Sequence, residues 1–114
     1  MVTNYESKRR TADPVFRAVA DPTRRAILHR LRRGDMEVGR LAHHFPMSRP
    51  AISKHLRLLR QAGLVVGRRS GRKNVYRLNP RPLQKVDGWL EEYRRFWQAN
   101  LLALKKFAEG EVSK

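Results

Sequence analysis

The segment from Met47 to Gly63 carries the residues whose types and spacing say most about chemistry. It predicts a helix of about four turns, with Ser48 as the N-cap, Pro50 in the first turn and Gly63 just past the end. One face of this helix has no carboxylate and offers hydrogen-bond donors and positive charge, which suits a polyanion. That face consists of Arg49, Ser53, Lys54, Arg57, Arg60 and Gln61.

The opposite face of the same helix is apolar. Ile52, His55, Leu56 and Leu59 recur at i, i+3, i+4 and i+7, which predicts a buried stripe. Because His55 falls within this stripe, we interpret it as a packing and hydrogen-bonding residue in preference to a nucleic-acid contact.

Charge is distributed unevenly along the chain. The formal net charge is +16, and residues 1–82 hold 20 Lys and Arg against 5 Asp and Glu. Residues 83–114 hold 6 against 5, and no acidic residue occurs between Val38 and Val86. A segment this basic is expected to meet nucleic acid, or less readily an anionic membrane surface.

Several other chemistries are excluded or disfavoured. The chain has no cysteine, so it has no disulfide, thiolate metal site or cysteine nucleophile. Ser53 and His55 stand at i and i+2, which do not face each other on a helix, so we expect no enzyme. His43 and His44 are adjacent and His29 lies on another predicted helix, so we expect neither a metal site nor a cofactor. Without an apolar run or signal peptide, a cytoplasmic location away from the membrane is expected.

The elements that must position the basic helix are mostly short helices. Asp-Pro pairs predict helix starts at Asp13-Pro14 and Asp21-Pro22. The predicted elements are a helix over 14–20, a helix over 22–33, an extended link at 36–38, a helix of about two turns over 38–45, and strands at 64–66 and 74–78. The third and fourth helices form a helix-turn-helix, and the strands form a β-hairpin whose basic tip is a wing beside the second of these helices. The fold class is therefore mainly α with a small β-hairpin, and the tip carries Arg68, Arg69, Arg72 and Lys73.

A long helix is predicted over 83–108. Its heptad seam bears more large apolar side chains than one small domain can bury, so we predict a homodimer in which this helix pairs with a second copy. A helix folded back over its own core is the alternative. Asn100 is the polar member of the seam, hypothesised to fix the register. The predicted interface comprises Phe16, Leu83, Val86, Trp89, Leu90, Tyr93, Trp97, Asn100 and Leu104.

The domain organisation follows from these elements. We predict a flexible basic arm at 1–10, a DNA-binding domain at 11–82, the dimerisation helix at 83–108 within the same compact unit, and a tail at 109–114.

Four segments carry a resemblance to a known family. They are FRAVADPTRRAIL at 16–28, SRPAISKHL at 48–56, AGLV at 62–65 and GRKNVYRL at 71–78. In order and spacing they resemble the ArsR-type winged helix-turn-helix regulators of bacteria. The resemblance implies a dimeric DNA-binding repressor in which the first and last helices form the dimer.

The chain also departs from that family's metal sensors. Their Cys-Val-Cys motif corresponds to Glu37, Val38 and Gly39, and the last helix has none of the histidines that bind metal in other members. The chain is similar to the metal-independent branch, whose members often repress their own operons.

The resemblance also implies which residues meet DNA. In the family, the N-terminal part of the recognition helix contacts base edges, and the wing contacts phosphates or the minor groove. The matching positions are Ser48, Arg49, Pro50, Ser53, Lys54 and Arg57 in the helix, and Arg69, Arg72 and Lys73 in the wing.

The predicted function is a sequence-specific regulator of double-stranded DNA, a repressor in preference to an activator, acting as a homodimer on a pseudo-palindromic operator. The alternatives are a DNA-coating protein without sequence preference and a basic RNA-binding protein. A cavity near Trp89, Tyr93 and Trp97 would suit an apolar effector, although an aromatic dimer core explains the same residues.

Overall fold

A computed structural model describes residues 14–112 of the 114-residue chain. The predicted arm at 1–10 and the predicted cap Asp13 lie outside this range. The elements, in chain order, are helix α1 (14–20), α2 (Pro22–Leu31), β1 (Met36–Glu37), α3 (Val38–Ala42), α4 (Arg49–Gln61), β2 (Val65–Ser70), β3 (Lys73–Leu78), a 3-10 turn (Arg81–Leu83) and α5 (Gln84–Val112).

Side-chain caps fix the starts of the central helices. The carboxylate of Asp21 accepts the backbone N–H of Arg24 at 3.0 Å and begins α2, with Pro22 in its first turn. Glu37 caps α3 by accepting the backbone N–H groups of Gly39 and Arg40 at 3.1 and 3.2 Å. These caps satisfy N–H groups that have no partner within their own helices.

The hairpin is a regular antiparallel pair, in register from Val65↔Leu78 to Ser70↔Lys73. Gly71 and Arg72 form its two-residue loop. Gly71 has φ +63° while no residue other than glycine has a positive φ among those described, which fits a type II′ turn with glycine first. The prediction of a hairpin is confirmed, although the strands extend further towards the tip than predicted.

The segment predicted as an extended link at 36–38 contributes a third strand. Met36 pairs with Tyr76 and Glu37 with Val75, giving the antiparallel order β1-β3-β2. Two residues are too few to show a period of two in the sequence, so the pairing was invisible there. This strand ties the start of α3 to the base of the wing.

One apolar core lies beneath the helix-turn-helix. On the inward stripe of α4, Ile52, Leu56 and Leu59 are fully buried, and His55 is half-buried. The other buried members come from α1, α2, α3 and the start of the hairpin: Val15, Ala18, Ile27, Leu28, Leu31, Val38, Leu41, Ala62, Leu64 and Val65.

Four helix boundaries differ from the predictions. Helix α2 ends at Leu31 instead of at 33, and α3 ends at Ala42 instead of at 45. Helix α5 begins at Gln84, after a 3-10 turn, and continues to Val112, so most of the predicted tail is helical. The ends of α2 and α3 are tightened by bonds such as Gly34 N–H to Leu31 C=O and Phe45 N–H to Ala42 C=O, both 3.1 Å, which periodicity does not show.

Candidate nucleic-acid interface

Both ends of α4 are held by local hydrogen bonds. Ser48 Oγ accepts the backbone N–H of Ala51 at 3.2 Å and begins the helix. At the other end Gly63, with φ +76°, donates its N–H to Arg60 C=O, and Leu64 donates to Leu59 C=O, both at 2.9 Å. This paired arrangement is a Schellman motif, which requires the left-handed conformation that glycine supplies.

The outward face of α4 is largely open to solvent. Pro50, Lys54 and Arg57 are exposed, as is Ser48, whereas Ser53 is half-buried. The structure therefore brings the predicted helix residues together on one surface, with Ser53 set deeper than its neighbours. The hydroxyl of Ser48 already accepts one backbone N–H, which leaves its own O–H free to donate outward.

Arg49 has an acidic neighbour that sequence reasoning did not connect with it. Its Nη2 lies 3.7 Å from Glu37 Oε1, and 62% of its side chain is exposed. The pKa of Glu37 is lowered first by the N–H of Gly39 and then by the N–H of Arg40, with the charge of Arg49 a smaller cause. Glu37 is thus a helix cap that also steadies Arg49, and a long, exposed ion pair of this kind is readily exchanged for a stronger partner.

The wing has a neutralised base and a cationic tip. Asp35 Oδ2 lies 3.6 Å from Arg68 Nη2 on β2 and 3.4 Å from Arg77 Nε on β3. The tip carries Arg69, Arg72 and Lys73, all exposed, and none of them forms an ion pair with a carboxylate of residues 14–112. The charge of Lys73 is nevertheless one of the smaller causes that lower the pKa of Glu37. Arg68, which the sequence placed at the tip, instead lies along β2 and pairs with Asp35.

Each carboxylate between residues 14 and 83 has a structural role. Asp35 holds the wing base, Glu37 caps α3, and Asp21 caps α2. The pKa of Asp21 is lowered chiefly by the backbone N–H of Arg24. Because these acids are engaged, the positive charge of α4 and the wing tip is left largely uncompensated.

The histidines make contacts with arginines. His55 is half-buried, with Nδ1 3.4 Å from Arg24 Nη1. His44 accepts from Arg30 at 2.8 Å, and its pKa is lowered first by desolvation and then by the charge of Arg30. His29 and His44 line one cavity, but the described residues hold no group of three or more potential metal ligands.

A second surface, of the opposite chemical character, runs along α5. Phe16 of α1 packs edge-on against Trp89 at 5.6 Å between ring centroids, followed by Trp89–Tyr93 at 5.1 Å and Tyr93–Trp97 at 6.4 Å. About half of each tryptophan is exposed, and Leu104 is 64% exposed. We call this row of side chains, from Phe16 to Leu104, the aromatic stripe.

The remaining predicted interface residues are placed differently. Leu83 and Val86 pack against the core of their own domain, and Leu90 is half-buried. Asn100 donates from Nδ2 to the C=O of Phe96 at 2.8 Å, within its own helix. The apolar part of α5 therefore divides into a start held by its own domain and a longer exposed region.

Three polar residues were not identified from the sequence as part of this site: Arg24, Asp35 and Glu37. Each acts across elements distant in the chain, so local periodicity carries no signal for it. Glu37 was detectable only as an acidic residue just before α3, a position that favours a helix start.

A helix held second in a helix-turn-helix, with a cationic wing beside it, defines a winged helix-turn-helix DNA-binding protein. The comparisons agree. Residues 21–66 match the family described as bacterial regulatory protein, arsR family. The HTH-type transcriptional regulator Rv2034 of Mycobacterium tuberculosis is 41% identical over 102 residues, covering 90% of this chain and 92% of that protein.

Two further relatives support the assignment. The transcriptional repressor SdpR of Bacillus subtilis is 46% identical over 76 residues, covering 67% of this chain and 84% of that protein. The solved structure of an ArsR-like transcriptional regulator from Rhodococcus sp. RHA1 is 39% identical, with a TM-score of 0.64, covering 86% of this chain and 92% of that one.

The chain belongs to the ArsR family of bacterial transcriptional regulators, and it is a DNA-binding regulator and not an enzyme. This confirms the predicted fold class and the prediction of a DNA-binding transcriptional regulator. Within residues 14–112, no helix combines the length and apolar character that crossing a membrane requires.

Proposed function

We propose that the protein is a homodimeric repressor that binds a pseudo-palindromic operator through α4 and the wing. The observation that carries this proposal is the outward face of α4, which is largely exposed, cationic and without a carboxylate of its own, while Ile52, Leu56 and Leu59 on the opposite face are fully buried. Burial of one face fixes the orientation of the helix, so its polar side chains point outward at constant angles. Contacts with base edges in the major groove require such constant angles.

Individual side chains take different parts in this proposal. Arg49, near the N-terminus of α4, exchanges Glu37 for a guanine, to which it donates two hydrogen bonds. Ser53 contacts a base or a phosphate at short range. The others position the helix and wing on phosphates; they are Ser48, Lys54, Arg57, Arg69, Arg72 and Lys73. Pro50, which has no hydrogen-bond donor, makes only van der Waals contact with the DNA.

The aromatic stripe supplies the dimer. Exposed side chains such as Trp89, Trp97 and Leu104 form a larger apolar surface than monomers usually leave in water. Pairing two copies about a two-fold axis would place the two α4 helices about 34 Å apart, in successive major grooves. One α4 reads few base pairs, whereas two at fixed spacing can select an operator.

Repression, a cytoplasmic location and independence of metal are also part of the proposed function. SdpR is named a transcriptional repressor, which supports repression here. We place the protein in the cytoplasm, where bacterial DNA is, and propose that it represses its own operon. Because positions 37–39 carry no cysteine and α5 no histidine, DNA binding proceeds without a metal ion. It should therefore be unchanged by EDTA.

The test is selection of bound duplexes from a random-sequence pool, followed by competition between the selected duplex and random duplex at one salt concentration. A regulator should prefer the selected, pseudo-palindromic duplex by about 10³-fold or more. A ratio near one would indicate a DNA-coating protein, and a preference for single-stranded RNA would indicate an RNA-binding protein; either overturns the proposal. Footprinting upstream of its own gene tests autoregulation.

A further inference from the structure

The guanidinium of Arg24 joins three helices. Its Nε donates to Ala18 C=O and its Nη2 to Arg17 C=O, both at 2.8 Å, at the C-terminal end of α1. Its remaining nitrogen, Nη1, lies 3.4 Å from Nδ1 of His55 on α4. The residue itself belongs to α2, whose N-cap Asp21 accepts its backbone N–H.

This geometry depends on the shape of the arginine side chain. The last carbonyls of a helix have no partner within it, so Arg24 satisfies acceptors of α1 that would otherwise need water. A guanidinium presents planar, divergent donors in a fixed fork, whereas a lysine ammonium is a single point of donation. His55 accepts from Arg24 at Nδ1 when its ring proton is on Nε2. The same Nδ1 lies 4.0 Å from Asp21 Oδ2, so Asp21 and Arg24 both face His55 from the start of α2.

Arg24 stands between the two surfaces described above. Phe16, the neighbour of Arg17 in α1, packs edge-on against Trp89 at the start of the aromatic stripe. On the other side, His55 lies in α4 directly after Lys54, one of the outward cations. Contacts therefore run without a gap from the aromatic stripe through α1 and Arg24 to α4.

We propose that Arg24 is a positioning residue for operator recognition: it fixes the angle of α4 relative to the helices that form the dimer. The inference rests on the proposed function, because it concerns how two α4 helices engage one operator. Selective binding needs both helices at the angle that brings Arg49 to base edges. Binding to random DNA depends on total charge and tolerates variation in that angle.

The test compares Arg24→Lys with Arg25→Lys, a matched control. Arg25 also belongs to α2 and also donates to a carbonyl of α1, from Nη1 to Val19 C=O at 2.7 Å, but it makes no hydrogen bond to α4 in the described structure. Both variants keep the charge. Arg24→Lys should lower the ratio of selected-duplex to random-duplex affinity about tenfold, which is within the range typical of residues that couple two sites. The affinity for random duplex should be unchanged. Arg25→Lys should change neither.

A second variant separates positioning from stability. His55→Leu leaves the bonds of Arg24 to α1 in place and removes the acceptor on α4, so it should lower the ratio by a similar factor. The double variant should lower the ratio by less than the product of the two single effects, because the contact between Arg24 and His55 is lost in both single variants. If Arg24→Lys fails to fold, His55→Leu alone decides the question.

A direct measurement of angle completes the test. The chain has no cysteine, so Gln61→Cys provides one spin label on each α4 of the dimer. Arg24→Lys should broaden the distance distribution between the labels, and Arg25→Lys should leave it narrow.

The proposal is overturned if Arg24→Lys and His55→Leu retain the wild-type ratio, if random-duplex affinity falls equally, or if Arg25→Lys has the same effect. Failure of the proposed function is distinguished because it would be seen in the wild-type protein, as a ratio near one.

Discussion

Two exposed surfaces of residues 14–112 have opposite chemical characters. One is the outward face of α4 together with the wing tip, and the other is the aromatic stripe. The first has cations and hydrogen-bond donors, such as Lys54 and Arg57, and hardly any uncompensated acid. The second has large apolar side chains, such as Trp97 and Leu104, on a segment whose charges nearly balance. The first surface suits an anionic partner and the second suits an apolar one, so the two surfaces do not compete for one ligand.

A small domain can be specific because its two surfaces respond differently to salt. Charge draws DNA of any sequence, and its contribution depends on salt. Apolar burial depends on area and persists, or strengthens, when salt is raised. A dimer formed through the aromatic stripe would therefore hold two α4 helices in place under conditions where each alone releases DNA.

Salt should give the largest separation between the two surfaces. If each subunit neutralises about four phosphates, affinity for the selected duplex should fall by about three to five decades between 50 and 200 mM salt. Over the same range the dimer dissociation constant should stay within about threefold. Fluorescence anisotropy with labelled duplex and sedimentation equilibrium without DNA measure the two quantities. A salt-insensitive complex would contradict a mechanism based on phosphate contacts.

Removing a tryptophan tests the apolar side of the comparison. Trp97→Ala should weaken dimerisation about 100-fold, about 3 kcal/mol, because both copies lose a large ring from the proposed interface. Leu102→Ala is the matched control. Leu102 is 54% exposed on the same helix but lies about 165° around it from the seam, so its loss should leave dimerisation unchanged. Equal effects from both variants would mean that the aromatic stripe is not the contact surface.

Features formed by residues close together in the sequence were predictable, and features formed by residues far apart in the sequence were not. The ends of α4 are marked by local residue types, namely Ser48, Pro50 and Gly63. Its buried face is indicated by the spacing of the apolar residues from Ile52 to Leu59. Both features were therefore predicted correctly. Short-range chemistry of this kind is visible in one dimension.

Interactions between distant segments were not predictable in the same way. The strand at Met36–Glu37 exists because β3 is there to pair with it, and Asp35 acquires its role from arginines on β2 and β3. Arg68 was assigned to the wing tip because the sequence could not show that Asp35 would hold it. Asn100 donates to a carbonyl of its own helix, and its place in the seam stays a prediction.

Arg49 tests whether the basic surface reads bases or only holds phosphates. Arg49→Ala should reduce discrimination at one or two base pairs of each half-site by about 1 to 3 kcal/mol, while random-duplex affinity changes little. Arg60→Ala, in the last turn of α4, is the control, for which we expect a small and sequence-independent effect. Binding to a panel of single-substituted operators measures both. A uniform loss across the panel would make Arg49 a phosphate contact like its neighbours.

The smallest expected effect concerns Asp21, one of the few acidic residues in the basic part of the chain. Its substitution tests whether these acidic residues stabilise the fold. Asp21→Ala removes the cap of α2 and should lower the free energy of unfolding by about 1 kcal/mol at pH 7, while Asp21→Asn, which still caps, should lose less.

The N–H of Arg24 lowers the pKa of Asp21 below its ordinary 3.8. Protons therefore bind the unfolded state first, so this contribution is complete above pH 3.8 and is lost as the pH falls through the lowered value. Urea unfolding between pH 7 and pH 3 should accordingly show the difference between Asp21→Ala and wild type narrowing only below about pH 4. A difference that is constant with pH would mean that the charge of Asp21 adds nothing to its role as a cap.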